Sequence, residues 1–402
     1  MDADEKKIIN WIDDNSDEIT RIAGNLIEIP SVSGKEDSNK YYEEEADYLI
    51  SEFDKIGVEG QKISKDIDSG VNCLATMHGT ESNYVLALGG HYDVVPANEK
   101  EWDTDGFKAV VKDGKLFGRG AADMKGGLAA CVVAMKAIKE CNIMHRGDIQ
   151  LIASIDEEVG GNGGMDYLIN SGTINPNCFI NAEQTEMEII VAYKGCAWME
   201  VKTHGVAAHG SKPELGVNAI KNAADAIEMI SGLSGNEIQF VHDDLLGDFS
   251  LNVGMIEGGS AINVVPDACS FKIDGRFVPG QDYNEIIKII RKRFDEMHAE
   301  NAEFKAEIEF ISRCTNAVRI PEDSDLVKSL RASSKKVCVN EAPLNGFIAA
   351  GDNCLFHRKG TPALMYGPGS LDVIHKANEH CNIKDLISSA KIYALTALEL
   401  CK

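Results

Sequence analysis

The sequence predicts an α/β protein in which a mixed-sheet domain is interrupted by a smaller inserted unit. Short apolar runs typical of buried strands alternate with helical spacing in the outer segments, which predicts a sheet covered by helices. The middle of the chain instead shows a complete β-α-β-β-α-β order. A chain of 402 residues also exceeds one ordinary hydrophobic core. Together these observations predict at least two domains.

In the outer segments, helical spacing of apolar residues predicts helices over 5–29, 40–57 and 124–140, and a closing helix over 381–400. The apolar runs YVLALGG (84–90), DIQLIASI (148–155), CFINA (178–182) and TPALMYG (361–367) predict buried strands. These segments form a discontinuous domain, predicted over 1–197 plus 312–402.

The middle segment, 198–311, is predicted to be an inserted ferredoxin-like domain. Strands are predicted over 198–205, 250–259, 268–278 and 304–311, with helices over 218–231 and 283–298. This pattern forms a small split sheet that could fold alone.

Composition limits the partners and the location of the chain. A formal net charge of −24 argues against nucleic acid or an anionic membrane, because phosphate binding needs clustered Lys and Arg. The first twenty residues lack the features of a secretory signal, and the longest apolar run, residues 128–135, is too short to cross a bilayer. A cytoplasmic protein is expected.

Polar residues follow each predicted buried strand of the outer domain directly. His91 and Asp93 follow the first, Asp156, Glu157 and Glu158 the second, Glu183 the third, and His375 lies in the loop after the last. Asp123 lies in a glycine-rich loop, GRGAADMKGG, that leads into a helix. In sheets of this class ligands bind beyond the carboxyl ends of the strands, so these side chains are expected at one edge.

A metal would offset the cost of gathering so many buried charges. Imidazoles and carboxylates without thiolates suit zinc, with cobalt or manganese as substitutes. Two metals that share one carboxylate account for five ligands better than one open zinc site does. The candidate ligands are His91, Asp123, Glu158, Glu183 and His375, and His380, five residues after His375, is the alternative for the last position.

With these motifs the sequence resembles the di-zinc aminoacylase/carboxypeptidase family, which includes acetylornithine deacetylase and succinyl-diaminopimelate desuccinylase. The resemblance extends over nearly the whole chain. It is carried by NLIEIPSVSG, GGHYDVVP, GRGAADMKGG, DEEVGGNGG, GVAAHGSKPELGVNAI, GGSAINVVPDACSFKIDGRF and GPGSLDVIHKANE. It implies a di-metal catalytic domain and an inserted domain that serves as a dimerisation or lid domain.

The resemblance also implies a role for each candidate residue. Asp123 bridges two zinc ions, with His91 and Glu183 on one and Glu158 and His375 on the other. Glu157 is the catalytic base that takes a proton from the water between the metals, and Asp93 orients His91. In the inserted domain His209 stabilises the tetrahedral oxyanion, and Asn263 and Arg276 help to hold the substrate.

The implied reaction is removal of the acyl group from an N-acyl amino acid, since deacylases of the family usually carry Glu at the position of Glu183. A dipeptidase, carboxypeptidase or aminopeptidase of the same family is the alternative. A homodimer through the inserted domain is also implied. One segment departs from the family: AAGDNCLF (349–356) replaces a Gly-Thr-Asp type signal, which leaves Asp352 as its counterpart.

Other enzyme classes lack their motifs in this sequence. The segment nearest to a dinucleotide-binding G-x-G-x-x-G, residues 118–123, ends in Asp123, whose carboxylate would repel a pyrophosphate. The G-x-S-x-G motif of serine hydrolases and the H-E-x-x-H motif of zinc proteases do not occur. A metal-bearing binding protein without activity would have no use for Glu157.

Overall fold

A computed structural model describes residues 1–66, 69–160, 162–233, 235–239, 241–311, 314–349 and 351–402. The chain forms two compact units. The first comprises Met1–Val191, Ile320–Asn345 and Gly351–Lys402, and the second comprises Ala192–Arg319 and Gly346–Ala350. Residue 312, at the predicted end of the insert, and Gly161, in the predicted glycine-rich turn, lie outside the described residues. The domain boundaries at 197 and 312 stay predictions.

The first unit is built on a large mixed sheet. In spatial order its strands are Gly60–Ile63, Asn72–Met77, Asp148–Ser154, Val85–His91, Cys178–Asn181, Ala363–Met365 and Ile189–Tyr193, and the chain enters the second unit within the last of them. The four strands from Asp148–Ser154 to Ala363–Met365 run parallel to one another, and the strands that flank them, Asn72–Met77 and Ile189–Tyr193, are antiparallel to them. All four predicted buried strands are therefore adjacent, and their carboxyl ends meet at one edge.

Helices cover this sheet. They span Ala3–Asp14, Asp17–Glu28, Ser38–Asp54, Lys125–Glu140, Met165–Asn170, Asp325–Cys338, Asn353–His357 and Ile383–Leu400. The single helix predicted over 5–29 is wrong in one respect, because two helices meet at Asn15 and Ser16. The Asn15 side chain and the Asn15 backbone N–H both donate to the Trp11 carbonyl, at 2.8 and 3.0 Å, and the backbone leaves the helical conformation at Asn15, where φ is −118° and ψ is 31°.

A small sheet of Val110–Lys112, Lys115–Phe117 and His380–Asn382 completes the first unit. His380 therefore belongs to a strand, and the closing helix begins at Ile383, two residues later than predicted. No helix in the described parts of the chain is both long and apolar enough to cross a bilayer.

The second unit contains the predicted β-α-β-β-α-β order. Its antiparallel sheet has the spatial order Ser250–Gly258, Ala268–Phe277, Gly195–His204 and Ala306–Phe310, and its helices are Ala219–Ser231 and Tyr283–Glu300. Buried and less buried residues alternate along Gly195–His204, which places Met199 and Val201 in a core with residues of both helices. Further short strands are Ala208–His209, His242–Asp243, Gly247–Asp248, Val264–Val265, Val318–Arg319 and, shared with the first unit, Leu344–Phe347.

Candidate metal centre

The carboxyl edge of the parallel strands carries the predicted metal ligands. His91 is the last residue of its strand, Glu158 lies four residues beyond Ser154, and Glu183 lies two residues beyond Asn181. His375 lies in the loop that follows Ala363–Met365. The fold therefore explains why residues so far apart in the sequence share one location.

Asp123 reaches this edge from the start of helix Lys125–Glu140. The helix lies close to the strand that precedes Glu183, because Gly127 has no side chain: a Cβ there would lie 2.0 Å from the carbonyl oxygen of Ala182. This contact requires glycine and brings the start of the helix next to the ligand-bearing strand end.

Two groups of possible ligands share the Asp123 carboxylate. In the first, His91 Nε2 lies 3.2 Å from Asp123 Oδ1 and 3.4 Å from Glu183 Oε1. In the second, His375 Nε2 lies 3.3 Å from Asp123 Oδ2 and 3.1 Å from Glu158 Oε2. Within each group the ligand atoms lie within 4.8 Å of one another. The structure thus brings together all five side chains that the sequence singled out.

The protonation of His91 indicates that a cation fits the first group. Its Nδ1 lies 2.9 Å from the backbone carbonyl of Asp93, which can only accept, so Nδ1 carries a proton. In the neutral ring Nε2 then presents a lone pair to the carboxylates of Asp123 and Glu183. A lone pair beside two anions is repulsive, so a proton or a metal ion must lie between them. Although burial opposes it, the carboxylates of Glu183 and Asp123 raise the pKa of His91 in the absence of a metal. Imidazole with carboxylates is also a donor set that zinc accepts.

The second group also has a feature that a bound metal ion would explain. Glu158 Oε1 is buried and has no hydrogen-bond partner among the described residues. A buried carboxylate oxygen without a partner is costly, and a metal ion is one of the few ligands that would compensate for it.

The pKa values of the clustered residues are shifted because several buried charges lie close together. Burial raises the pKa of Glu183 to about 7, although His91 works against it. Hydrogen bonding to Asp123 and Glu158 raises the pKa of His375 to about 10. Burial, together with Asp352, Glu183 and Asp123, also raises the pKa of Glu157 well above its usual range, with His91 opposing. Without a bound cation, protons must be retained to balance these charges.

Asp93 fixes the turn that follows strand Asp148–Ser154. Its Oδ1 and Oδ2 accept the backbone N–H groups of Glu157 and Glu158, each at 3.2 Å, and Oδ2 also accepts the Ser33 hydroxyl at 2.5 Å. His91 Nδ1 is 3.5 Å from Asp93 Oδ1, farther than from the backbone carbonyl. The carboxylate therefore contacts the glutamate turn more directly than it contacts the imidazole.

This turn separates the three adjacent carboxylates. Asp156 has a φ of +64°, in the left-handed region, where the chain reverses after the strand. Its carboxylate accepts from the backbone of Gly163, whereas the N–H groups of Glu157 and Glu158 point to Asp93. Asp156 therefore has local partners and lies outside both candidate ligand groups in the described chain.

His380 faces different partners from His375. Its Nδ1 lies 2.9 Å from the Asn378 carbonyl, its Nε2 lies 3.0 Å from Lys115 Nζ, and its ring lies against Phe117. Neither ligand group found in the described chain includes it. The geometry favours His375 as the ligand.

The residues predicted to contact the substrate lie in the second unit. The Ser211 N–H donates to His209 Nδ1 at 3.1 Å, so Nε2 carries the proton of the neutral ring. The Asn263 carbonyl accepts the N–H of Gly210 at 2.7 Å, which places Asn263 beside the His209 loop. Arg276 Nε is bound to Asp274 at 2.9 Å. The roles of all three toward a substrate stay predictions.

Sequence reasoning did not single out Ser33, Arg119 or Glu379. Ser33 binds Asp93, and Glu379 is fully buried and binds the loop that carries Asp123. Ser33 and Glu379 lie in segments that carry the family resemblance, SVSG and HKANE. The charges of Glu379 in HKANE and of Arg119 in GRGAADMKGG were the available signal, but the burial of these charges depends on tertiary contacts. The uncharged segment SVSG offered no such signal for Ser33.

A sheet edge with two imidazoles and three carboxylates in two groups is typical of a metal-dependent hydrolase. The model of peptidase family M20/M25/M40 matches residues 87–399, and the chain belongs to that family. It is accordingly a hydrolase that acts on amide or peptide bonds.

Similar proteins include both deacylases and peptidases. Acetylornithine deacetylase of Myxococcus xanthus is 28% identical over 365 residues, which cover 88% of this chain and 91% of that protein. The structure of aminopeptidase PepT from Bacillus cereus is similar with a TM-score of 0.76 and 21% identity, covering 96% of this chain and 99% of PepT. The YXEP protein of Bacillus subtilis, described as a dinuclear metal-binding peptidase, has a TM-score of 0.71 and 14% identity, with 96% and 98% covered.

Proposed function

We propose that this protein is a di-zinc amidohydrolase that removes the acyl group from an N-acyl amino acid. The observation that carries this proposal is the Asp123 carboxylate, whose two oxygens face two separate sets of a histidine and a glutamate. One carboxylate common to two such sets is what a pair of neighbouring metal ions needs.

The proposed ligands are His91, Asp123 and Glu183 for one zinc ion and Asp123, Glu158 and His375 for the other. Two zinc ions bound there would acidify a water molecule and polarise the carbonyl of the scissile amide. Cobalt or manganese could substitute, because the donor set has no thiolate.

Glu157 is proposed as the general base. A glutamate directly beside the proposed ligand Glu158, beyond the end of the same strand, is suited to accept a proton from the attacking water and to deliver it to the nitrogen of the departing amine. The bonds from Asp93 to the N–H groups of both glutamates hold the turn in one conformation, which supports distinct roles for Glu157 and Glu158.

Deacylation is favoured over peptide hydrolysis by the similarity to acetylornithine deacetylase and by Glu at position 183. N-acetylornithine and N-succinyl-diaminopimelate are the proposed substrate types. His209 is proposed to donate to the oxyanion through Nε2, and Asn263 and Arg276 to hold the substrate. A dipeptidase, carboxypeptidase or aminopeptidase activity is the alternative outcome of the test.

The test is release of free amine by the purified, zinc-loaded protein from N-acetylornithine, N-succinyl-diaminopimelate and unblocked dipeptides and tripeptides. We expect turnover of an N-acyl amino acid that a chelator abolishes. Turnover restricted to peptides with a free α-amine would establish the aminopeptidase alternative instead.

The same assay tests the role of Glu157 as the general base. E157Q should lower kcat about 10²–10⁴-fold, the usual contribution of a general base, and leave the zinc content unchanged. A loss of zinc in E157Q would show that the roles of Glu157 and Glu158 are interchanged. Zinc content by elemental analysis separates these results.

Two further proposals concern the whole protein. We propose a homodimer formed through the second unit, whose edge strand Ser250–Gly258 exposes Met255 and Ile256. A cytoplasmic location is proposed from the acidic composition.

A further inference from the structure

Glu379 is a buried carboxylate that the proposed reaction does not use. It lies four residues beyond His375 and its side chain is fully inaccessible to solvent. A buried carboxylate needs several hydrogen bonds to offset its loss of hydration, so its partners identify its role.

Those partners belong to the loop that carries Asp123. Glu379 Oε1 accepts the backbone N–H groups of Gly120, Ala122 and Asp123 at 3.1, 2.9 and 3.0 Å. The Glu379 carbonyl accepts a fourth N–H, that of Gly118, at 3.0 Å. The backbone on the N-terminal side of Asp123 is therefore bound to one residue, and three of the four bonds go to its side chain, which limits where the Asp123 carboxylate can point.

The other oxygen of Glu379 is paired with Arg119, which is itself buried. Oε2 binds Arg119 Nη1. The guanidinium also donates through Nη2 to the Pro96 carbonyl at 3.2 Å and lies 5.4 Å from the centre of the Trp102 ring. These contacts fix the cation that neutralises Glu379, and through it the position of Glu379.

We propose that Glu379 is a positioning residue for both metal sites: it holds the Gly118–Asp123 loop so that each oxygen of Asp123 faces its own histidine and glutamate. This inference rests on the proposed function, because it assumes that Asp123 binds two metal ions. Outer groups that orient ligands contribute to metal affinity, and their loss typically weakens binding about 10–100-fold. Because Asp123 belongs to both groups, both binding steps should weaken.

The test measures zinc affinity by competition with a chromophoric chelator in the full-length protein. In E379Q an amide replaces the carboxylate, and if its oxygen accepts the three N–H groups, its NH₂ group must face the N–H groups of Arg119. We expect both zinc dissociation constants to rise about 10–100-fold. E379D keeps the charge and the Arg119 partner but is one methylene shorter, and it should weaken both sites in the same direction.

E52Q is the matched control. Glu52 is equally buried and is also paired with an arginine, Arg21, but its partners lie on helices outside the Gly118–Asp123 loop. We expect E52Q to lose thermal stability while it binds two zinc ions as tightly as the wild type does.

A spectroscopic measurement separates positioning from general stability. At saturating Co²⁺ the visible absorption bands report the ligand geometry of the folded, metal-loaded protein. E379Q and E379D should alter these bands, and E52Q should not. If either folded Glu379 variant bound zinc as tightly as the wild type and gave the same Co²⁺ absorption bands, the inference would be overturned. If the wild-type protein itself bound fewer than two ions, the proposed function would be overturned.

Discussion

Two histidines in one segment illustrate how the site is built at the scale of residues. His375 has a φ of +56°, and this backbone conformation places its ring against Asp123 and Glu158. His380, five residues later, lies in a strand, where its two ring nitrogens contact the Asn378 carbonyl and Lys115. Spacing along the chain left both as candidates, and the backbone at the two positions distinguishes them.

H375A should therefore lose one of the two bound metal ions, and H380A should retain both. Among the described residues this group contains three side chains, so the removal of His375 leaves two carboxylates as the protein ligands. Metal content after equilibrium dialysis against a low concentration of zinc measures this. Retention of two ions by H375A together with loss of one by H380A would assign the ligand to His380.

Four of the five candidate metal ligands could be predicted from the sequence because they lie at or beyond the ends of strands, and strand ends of a parallel sheet share an edge. The residues that orient these ligands could not be predicted from the sequence. Asp93 was expected to orient His91, yet its carboxylate binds the N–H groups of Glu157 and Glu158 more closely. Such contacts depend on how three loops meet, which no local pattern records.

At the scale of elements, an ionic cluster joins three helices of the first unit. Glu52 of helix Ser38–Asp54 is fully buried and binds Arg21 of helix Asp17–Glu28 at 2.7 Å and Lys136 of helix Lys125–Glu140 at 3.0 Å. Although burial opposes the shift, hydrogen bonds from Arg21, Lys55 and Lys136 lower the pKa of Glu52 to about 2. The cluster thus joins the three helices through one buried carboxylate, and Lys136 lies eleven residues beyond the start of helix Lys125–Glu140.

E52Q should lower the free energy of unfolding by about 2–3 kcal/mol at neutral pH. The folded pKa of Glu52 lies below its unfolded value, so its stabilisation is complete above about pH 4.5 and is lost as the pH falls toward 2. The difference in stability between wild type and E52Q should therefore shrink over that range. Urea unfolding at several pH values measures it.

E43Q provides the comparison on the same helix. Glu43 pairs with Lys62 at the surface, and exposed pairs contribute about 0–1 kcal/mol. If E52Q lowered the free energy of unfolding no more than E43Q does at every pH measured, a structural role for the cluster would be contradicted.

The elements themselves were largely predictable, since apolar periodicity marked the buried strands and the two helices of the second unit. The break between helices Ala3–Asp14 and Asp17–Glu28 could not be predicted, because apolar spacing continues across it. The backbone of Asn15 leaves the helical conformation there, and periodicity does not register that change.

At the scale of the whole molecule, an open sheet edge supports the proposed dimer. Strand Ser250–Gly258 is at the edge of the second unit's sheet, and Met255 and Ile256 on opposite faces of it are 64% and 57% exposed. An exposed apolar edge is a template for pairing with another strand, and a second copy of the chain offers the same edge.

The protein should therefore sediment as a dimer at micromolar concentration, and I256K should shift it toward monomer, because a buried lysine without a partner opposes association. V339K is the control, since Val339 is an 82% exposed apolar residue of the first unit. A wild type that sediments as a monomer would contradict the proposal, as would an equal effect of both substitutions.

The proposed reaction requires two metal ions that share the Asp123 carboxylate. An anomalous difference map, recorded at the zinc absorption edge from crystals of the zinc-loaded protein, locates such ions directly. Two peaks are expected, one among His91, Asp123 and Glu183 and the other among Asp123, Glu158 and His375. A single peak, or two peaks that do not both contact Asp123, would contradict the proposed reaction.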